Sequence, residues 1–152
     1  MKELKSDDIK NAIANTLLEV APQYAVFKEA MTKPTYPHFY IHLINVDDTE
    51  ERKYHHRITY PFDVRFRIAS DPSTVLTLQR DLDEMALQLL AAFDILECTD
   101  GVKVRCADKN YEKTDGVLHF FFKITVQTKL VNQNDDTKKL GKLESVSVNI
   151  KG

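Results

Sequence analysis

The chain has 152 residues and a formal net charge of −2, with 29% charged and 43% hydrophobic residues. A chain of this length is predicted to form a single domain over residues 1–152, because it can bury about two thirds of its unfolded surface. Its near-neutral charge gives no general reason to expect nucleic acid or an anionic membrane as a partner.

The cysteines and the first residues indicate a reducing compartment. Cys98 and Cys106 are the only two cysteines, and their spacing fits neither a disulfide framework nor a CxxC motif. We expect reduced thiols. The opening "MKELKSDDIKNAIANTLLEV" mixes charged with apolar residues, so it is predicted to be neither a signal peptide nor a membrane span. The protein is expected to be made and folded in the cytoplasm.

The first predicted element is an amphipathic helix in "SDDIKNAIANTLLEV". Ser6 is predicted to cap it, and Pro22 to end it. The short run "YAVFKEA" that follows is predicted to be an edge strand, and "KPTYP" a loop. The apolar residues at helical spacing are Ile9, Ala12, Ile13, Leu17 and Val20, with Thr16 on the same face.

Two extended runs come next, "HFYIHLINV" and "YHHRITYPFDVRFRI". The acidic "DDTEER" between them is predicted to be a solvated hairpin tip. The second run alternates apolar and polar residues, which is typical of a strand with one buried face. Pro61 cannot donate to a strand ladder, so an edge position or a bulge is predicted there.

The segment "SDPSTVLTLQRDLDEMALQLLAAFDIL" is predicted to be the second helix, with Asp71 as N-cap and Pro72 as first helical residue. Its predicted buried stripe comprises Val75, Leu78, Leu82, Met85, Ala86, Leu89 and Phe93.

Two "TDG" turns then introduce further strands, "VKVRCADKNYEK" and the long alternating "DGVLHFFFKITVQTKLV". The polar "NQNDDTKKLGK" is predicted to be a loop and "ESVSVNI" a last strand. This order of elements predicts an α+β domain in which an antiparallel or mixed sheet packs one face on two helices.

No catalytic, metal or cofactor motif is present in the sequence. The five histidines lack the spacing of a metal site, and the acidic "DDTEER" lacks the ligand order of a calcium loop. No glycine-rich phosphate loop or nucleophile motif occurs. This argues against an enzyme, although catalytic groups can assemble from scattered residues.

A polar row on the two long strands is the best candidate for an interaction surface. It could be a solvated sheet face, a protein interface or a basic stripe for nucleic acid. Phe121 favours the protein interface, because an exposed Phe on the polar side of its strand can anchor a partner. The row comprises Arg57, Arg65, Arg67, Lys123 and Lys129, with Asp63 inside it.

Four stretches resemble one family. "SDDIKNAIANTLLEV", "YHHRITYPFDVRF", "LQRDLDEMALQLLAAFDIL" and "TDGVLHFFFKITVQTKLV" are similar, in the same order, to the small tail terminator (tail completion) proteins of phages and prophages of Gram-positive bacteria. The tail "SVSVNI" resembles the C-terminal strand of that family.

The resemblance implies a tail-terminator-like fold and a structural virion protein without enzymatic activity or cofactor. Such a subunit forms a ring, typically a hexamer, at the neck end of the tail. The ring docks on the last ring of tail tube protein, stops its polymerisation and joins the tail to the head-side connector. In contractile tails the sheath is a further partner, and the genome passes through the ring without being read.

Under this hypothesis the two long strands pair, and their outer ends extend past the helices to contact other subunits or the tube. The candidate contacts, chosen by strand parity, are Arg57, Arg65, Arg67, Phe121 and Lys123. The "DDTEER" and "NQNDDTKKLGK" segments are expected to order on assembly.

Three alternatives remain open: a head-tail adaptor of the neck, a small cytoplasmic α+β enzyme or ligand-binding protein, and a nucleic-acid module. A deep pocket with convergent polar groups would favour the second alternative.

Overall fold

A computed structural model describes residues 4–29 and 32–129, which contain two helices and two sheets. The predicted "NQNDDTKKLGK" loop, the predicted "ESVSVNI" strand and the end of the long strand from Leu130 onwards lie outside the described residues. The helices are α1 (Ser6–Val20) and α2 (Leu78–Ala92). The strands are β1 (Ala25–Phe27), β2 (His38–Leu43), β3 (Asp47–Arg52), β4 (His55–Arg67), β5 (Ile95–Glu97), β6 (Lys103–Arg105), β7 (Ala107–Thr114) and β8 (Val117–Lys129).

The main sheet is mixed and runs in the order β1-β2-β4-β8-β7, with β3 paired to β4. Only the β1–β2 pair is parallel among the described strands. β5 and β6 form a separate antiparallel pair. Both helices contact the sheet through one core. The predicted α+β architecture is therefore confirmed.

The central feature of the sheet is the long pairing of β4 with β8. It extends from His55 opposite Lys129 to Phe66 opposite Leu118 without a register shift, which corresponds to about 40 Å of ladder. Even-numbered residues of both strands face the helices, and Phe62, Val64 and Phe120 among them are fully buried. The predicted pairing of the two long strands is confirmed.

The other edge of β4 is shared by two strands. β2 pairs with residues 62–67 and β3 with residues 55–59. The "DDTEER" segment is therefore a paired strand, and the prediction of a hairpin tip was wrong. A six-residue acidic strand can form here because every one of its residues is exposed to solvent.

Pro61 lies at the change of partner from β2 to β3. β4 is an interior strand, and its register with β8 is continuous through the Pro61–Lys123 pair. The predicted edge or bulge was therefore wrong. The Pro61 carbonyl accepts a hydrogen bond from the Ile44 N–H on the β2 side. Since N–H and C=O of one strand residue point the same way, the missing donor of Pro61 is not needed by β8.

Neither helix begins at the predicted residue, because α1 starts one residue earlier and α2 starts later. Ser6 is the first residue of α1, and the Lys5 N–H donates instead to the Asp8 carboxylate. Asp71 and Pro72 cap and open a short 3-10 turn, Pro72–Thr74, and α2 starts only at Leu78. Most residues of the predicted stripes are buried, whereas Val20, Val75 and Leu78 are only partly buried. The buried ones are Ile9, Ala12, Ile13 and Leu17 of α1, and Leu82, Met85, Ala86, Leu89 and the adjacent Phe93 of α2.

Both "TDG" segments turn hairpins, as predicted. Gly101 lies between β5 and β6 and Gly116 between β7 and β8, each with φ of +75°. At Gly116 an added Cβ would stand 2.5 Å from the Pro72 Cβ, so the turn packs directly on the start of the 3-10 turn. Glycine is needed there for both reasons.

Candidate protein interface

The face of the main sheet opposite the helices carries all the candidate residues. Odd-numbered residues of β4 and β8 point to this face, because the even-numbered ones are buried under the helices. We call it the outer face. It holds Arg57, Arg65, Arg67, Phe121 and Lys123, so strand parity placed the five residues on one surface.

The outer face contains a buried carboxylate. The Asp63 side chain is only 6% exposed, its Oδ2 lies 2.9 Å from Arg65 Nε, and it lies 3.0 Å from His119 Nδ1. A buried charge is tolerated when it is paired and hydrogen-bonded. In the sequence Asp63 was recognised only as an acidic residue within a basic row. Its contact with His119 was not predicted.

Aromatic rings extend this network across three strands. His119 stacks on Phe121, with 6.0 Å between ring centroids and 12° between planes. The Arg65 guanidinium lies over the Tyr40 ring at 6.0 Å, and Tyr40 stacks on His42. Phe121 is half-buried, so the prediction of an isolated exposed Phe was wrong. Phe121 packs into this cluster because it lies directly opposite Asp63 in the pairing of β4 with β8.

The cations of the outer face differ in how far they are neutralised. Arg57 pairs with Glu51 of β3, which also accepts a hydrogen bond from Gln127. Lys123 approaches Asp108 only at 3.9 Å. Arg67 is exposed and has no ion pair within residues 4–29 and 32–129. The positive charge available to a partner is therefore concentrated at Arg67, Lys123 and the outer nitrogens of Arg65.

The opposite end of the long strands carries the acidic strand β3. We call β3, residues 55–59 of β4 and residues 125–129 of β8 the ribbon. All of β3 is exposed, so neither sheet face is covered along that strand. Asp48 bonds to His56 at 2.8 Å, whereas Asp47 and Glu50 have no ion pair among the described residues.

The described residues give little support for an enzyme. A surface cleft of about 470 Å³ lies between α1 and the segment after β1. Most of its polar groups bind one another, since Lys10 pairs with Glu29 at 3.5 Å and Lys28 donates to Asn11 at 2.6 Å. They do not converge on a ligand.

The two thiols are free and buried. Burial raises the pKa of Cys98, and it raises the pKa of Cys106 to about 12. A nucleophilic cysteine needs the opposite shift. In the described residues no group of histidine, cysteine and carboxylate side chains could hold a metal ion.

Among the helices of the described chain, none has the length and apolar character needed to cross a membrane. In comparisons with known proteins, a family model described as phage tail terminator protein matches residues 8–138. No curated protein matches the chain. Among the solved structures that match, one covers 80% of this chain and 94% of its own, with 14% sequence identity and a TM-score of 0.36. A similarity this weak supports no argument about function.

Proposed function

Because this chain belongs to the phage tail terminator protein family, whose members are structural proteins that complete phage tails, we propose that it forms a ring on the end of the tail tube. The proposed ring is a hexamer. It stops polymerisation of the tube protein and joins the tail to the head-side connector, with the sheath as a further partner in contractile tails.

The observation that carries this proposal is the pair of unlike surfaces on one subunit. A closed ring of identical subunits needs two different patches that fit each other. The outer face is aromatic and positively charged, and β3 of the ribbon is acidic and exposed. A ligand-binding enzyme would instead require a pocket with convergent polar groups, and in the cleft beside α1 Lys10 is paired with Glu29 and Lys28 is bonded to Asn11.

The contact residues proposed on the outer face are Arg65, Arg67, Phe121 and Lys123. Arg57 is proposed to support the ribbon, because its guanidinium is engaged by Glu51.

A phage tail protein is located in the virion tail. We place this one at the neck end, after folding in the host cytoplasm. No catalytic activity, cofactor, membrane or sequence-specific nucleic acid contact forms part of the proposal.

The direct test is to mix the purified protein with its cognate tail tube protein and to image tube lengths and ends by electron microscopy. Shortened tubes with a distinct ring at one end are expected. Unchanged tubes together with binding to portal-side proteins would instead identify a head-tail adaptor.

The contact residues are tested by Arg65→Glu with Arg67→Glu, which is expected to abolish capping. The control is Arg80→Glu with Lys103→Glu, two exposed cations away from the outer face, which should leave capping intact. Thermal unfolding is recorded for each variant, since Arg65 also neutralises Asp63. If the Arg65/Arg67 variant stays folded and still caps tubes, the outer face is not the contact surface.

A further inference from the structure

We propose that the outer face of one subunit receives the acidic ribbon of a second copy of this chain, and that Asp63 positions the residues that receive it. This inference rests on the ring proposed above and names the partner of its contact surface.

The charges of the two surfaces indicate that the outer face binds a second copy of this chain. β3 contains four carboxylates and one arginine, and all of them are exposed. Asp47 and Glu50 remain without an ion pair among the described residues. On the outer face the single buried carboxylate, Asp63, is already bound by Arg65 and His119. Among the described residues the unpaired Asp47 and Glu50 outnumber Arg52, the unpaired cation of β3, so a net negative charge on β3 matches the unpaired Arg67 of the outer face, as interface potentials do.

The ribbon cannot reach the Arg67 region of its own subunit. Thr59 marks the ribbon part of β4 and Arg67 its other end, which places them about 26 Å apart along one extended strand. Contact between the ribbon and the Arg67 region therefore requires two copies. The contact is head-to-tail, since the surfaces differ, and such contacts generate rings.

Asp63 prepares the receiving surface without touching the partner. Its carboxylate holds Arg65 through Nε, which leaves the two terminal nitrogens of that guanidinium for an incoming carboxylate. It also holds His119, on which Phe121 stacks. Side chains that are already ordered lose less entropy on binding. Asp63 is thus a positioning residue.

Reversing the charges of the ribbon and of the outer face tests whether these two surfaces bind each other. One variant carries Asp47→Lys and Glu50→Lys, which makes the ribbon basic. The other carries Arg67→Glu and Lys123→Glu, which makes the face acidic and leaves the Asp63–Arg65 pair intact. Either variant alone places like charges against each other, so we expect the concentration for half-maximal capping of tubes to rise about tenfold or more.

Rescue is the decisive readout. In an equimolar mixture each basic ribbon meets an acidic face and each acidic ribbon meets a basic face, so capping should return. It should also return in a single chain carrying the four substitutions. If the face variant alone loses capping while the ribbon variant caps normally, the face binds the tube protein and the inference is overturned. Loss of capping in both without rescue also overturns it.

The role of Asp63 is tested by a double-mutant cycle with Asp63→Asn and Arg65→Gln. If Asp63 acts through Arg65, the double variant should cap tubes as well as the single variant that caps less. Additive losses of capping would show that Asp63 acts in another way. Wild-type protein that neither associates nor caps tubes would contradict the proposed function itself, whereas capping that survives both charge reversals would contradict only this inference.

Discussion

At the residue scale, His38 links stability to pH. It is 1% exposed, and its Nδ1 lies 2.8 Å from the Thr35 carbonyl, to which it donates. Burial lowers the pKa of His38, the hydrogen bond to Thr35 opposes this, and the nearby Arg67 lowers it further. The folded protein therefore keeps His38 neutral at a pH where an unfolded histidine, with a pKa of about 6.5, takes up a proton.

Stability should consequently fall as the pH drops below about 6.5, with a slope for this group of at most about 1.4 kcal/mol per pH unit. The measurement is urea unfolding between about pH 7.5 and pH 5.5. His38→Asn is the matched control, because its amide can donate to Thr35 but does not titrate. An equal loss of stability in the wild type and in this variant would show that other groups cause the pH dependence.

Gly116 and Gly101 share a backbone conformation but differ in how closely they are packed. Both have φ of +75°, but a Cβ at Gly116 would stand 2.5 Å from Pro72, and a Cβ at Gly101 would meet nothing within 4 Å. Gly101→Ala should cost about 1–2 kcal/mol, the strain of a left-handed residue alone. Gly116→Ala should cost more, because Pro72 must also move. Chemical denaturation of both variants compares them, and equal costs would contradict the close packing.

At the element scale, α2 depends on one buried stripe. Leu89 is fully buried, and Leu87, two residues earlier on the same helix, is 61% exposed. Leu89→Ala should destabilise the protein by about 2–5 kcal/mol through lost burial and a cavity. Leu87→Ala should change stability by less than about 0.5 kcal/mol. Urea unfolding of the two variants is the measurement, and a similar loss in both would mean that the exposed side of α2 is covered.

Periodicity predicted the elements wherever a buried stripe exists. The helical spacing of Ile9 to Leu17 and the alternation of β4 and β8 correspond to burial in the core. β3 was missed because an exposed strand has no apolar alternation; its register comes from pairing with β4. The late start of α2 was missed because Asp71 and Pro72 also suit a 3-10 turn, and sequence alone does not decide how far such a turn continues.

For the candidate surface, the sequence predicted which residues share a face but not which of them are in contact. Strand parity placed Arg65 and Phe121 on one face, because a period of two holds along any regular strand. The parity of one strand does not give its register against another, so the contact of Asp63 with His119 could not be predicted. The Arg57–Glu51 pair was missed for a related reason, since Glu51 was expected in a turn.

At the scale of the whole molecule, a small net charge conceals an uneven distribution of unpaired charges. The chain carries only −2 overall, yet the carboxylates of β3 lie at one end of the long strands and Arg67 at the other. A subunit with this polarity can attract identical subunits head-to-tail, because its positive end faces the negative end of the next.

Assembly should therefore weaken as salt is added. Surface charges are screened over about 10 Å at 0.1 M ionic strength and over about 3 Å at 1 M. We expect fewer capped tubes, and a smaller mass of any ring in solution by light scattering, as sodium chloride rises from about 0.05 to about 0.5 M. Phe121→Ser should weaken assembly at every salt concentration and leave the salt dependence unchanged, because it removes packing and no charge. Capping that is constant across this range would show that the interface is held by apolar burial, and the charged ends of the subunit would then need another explanation.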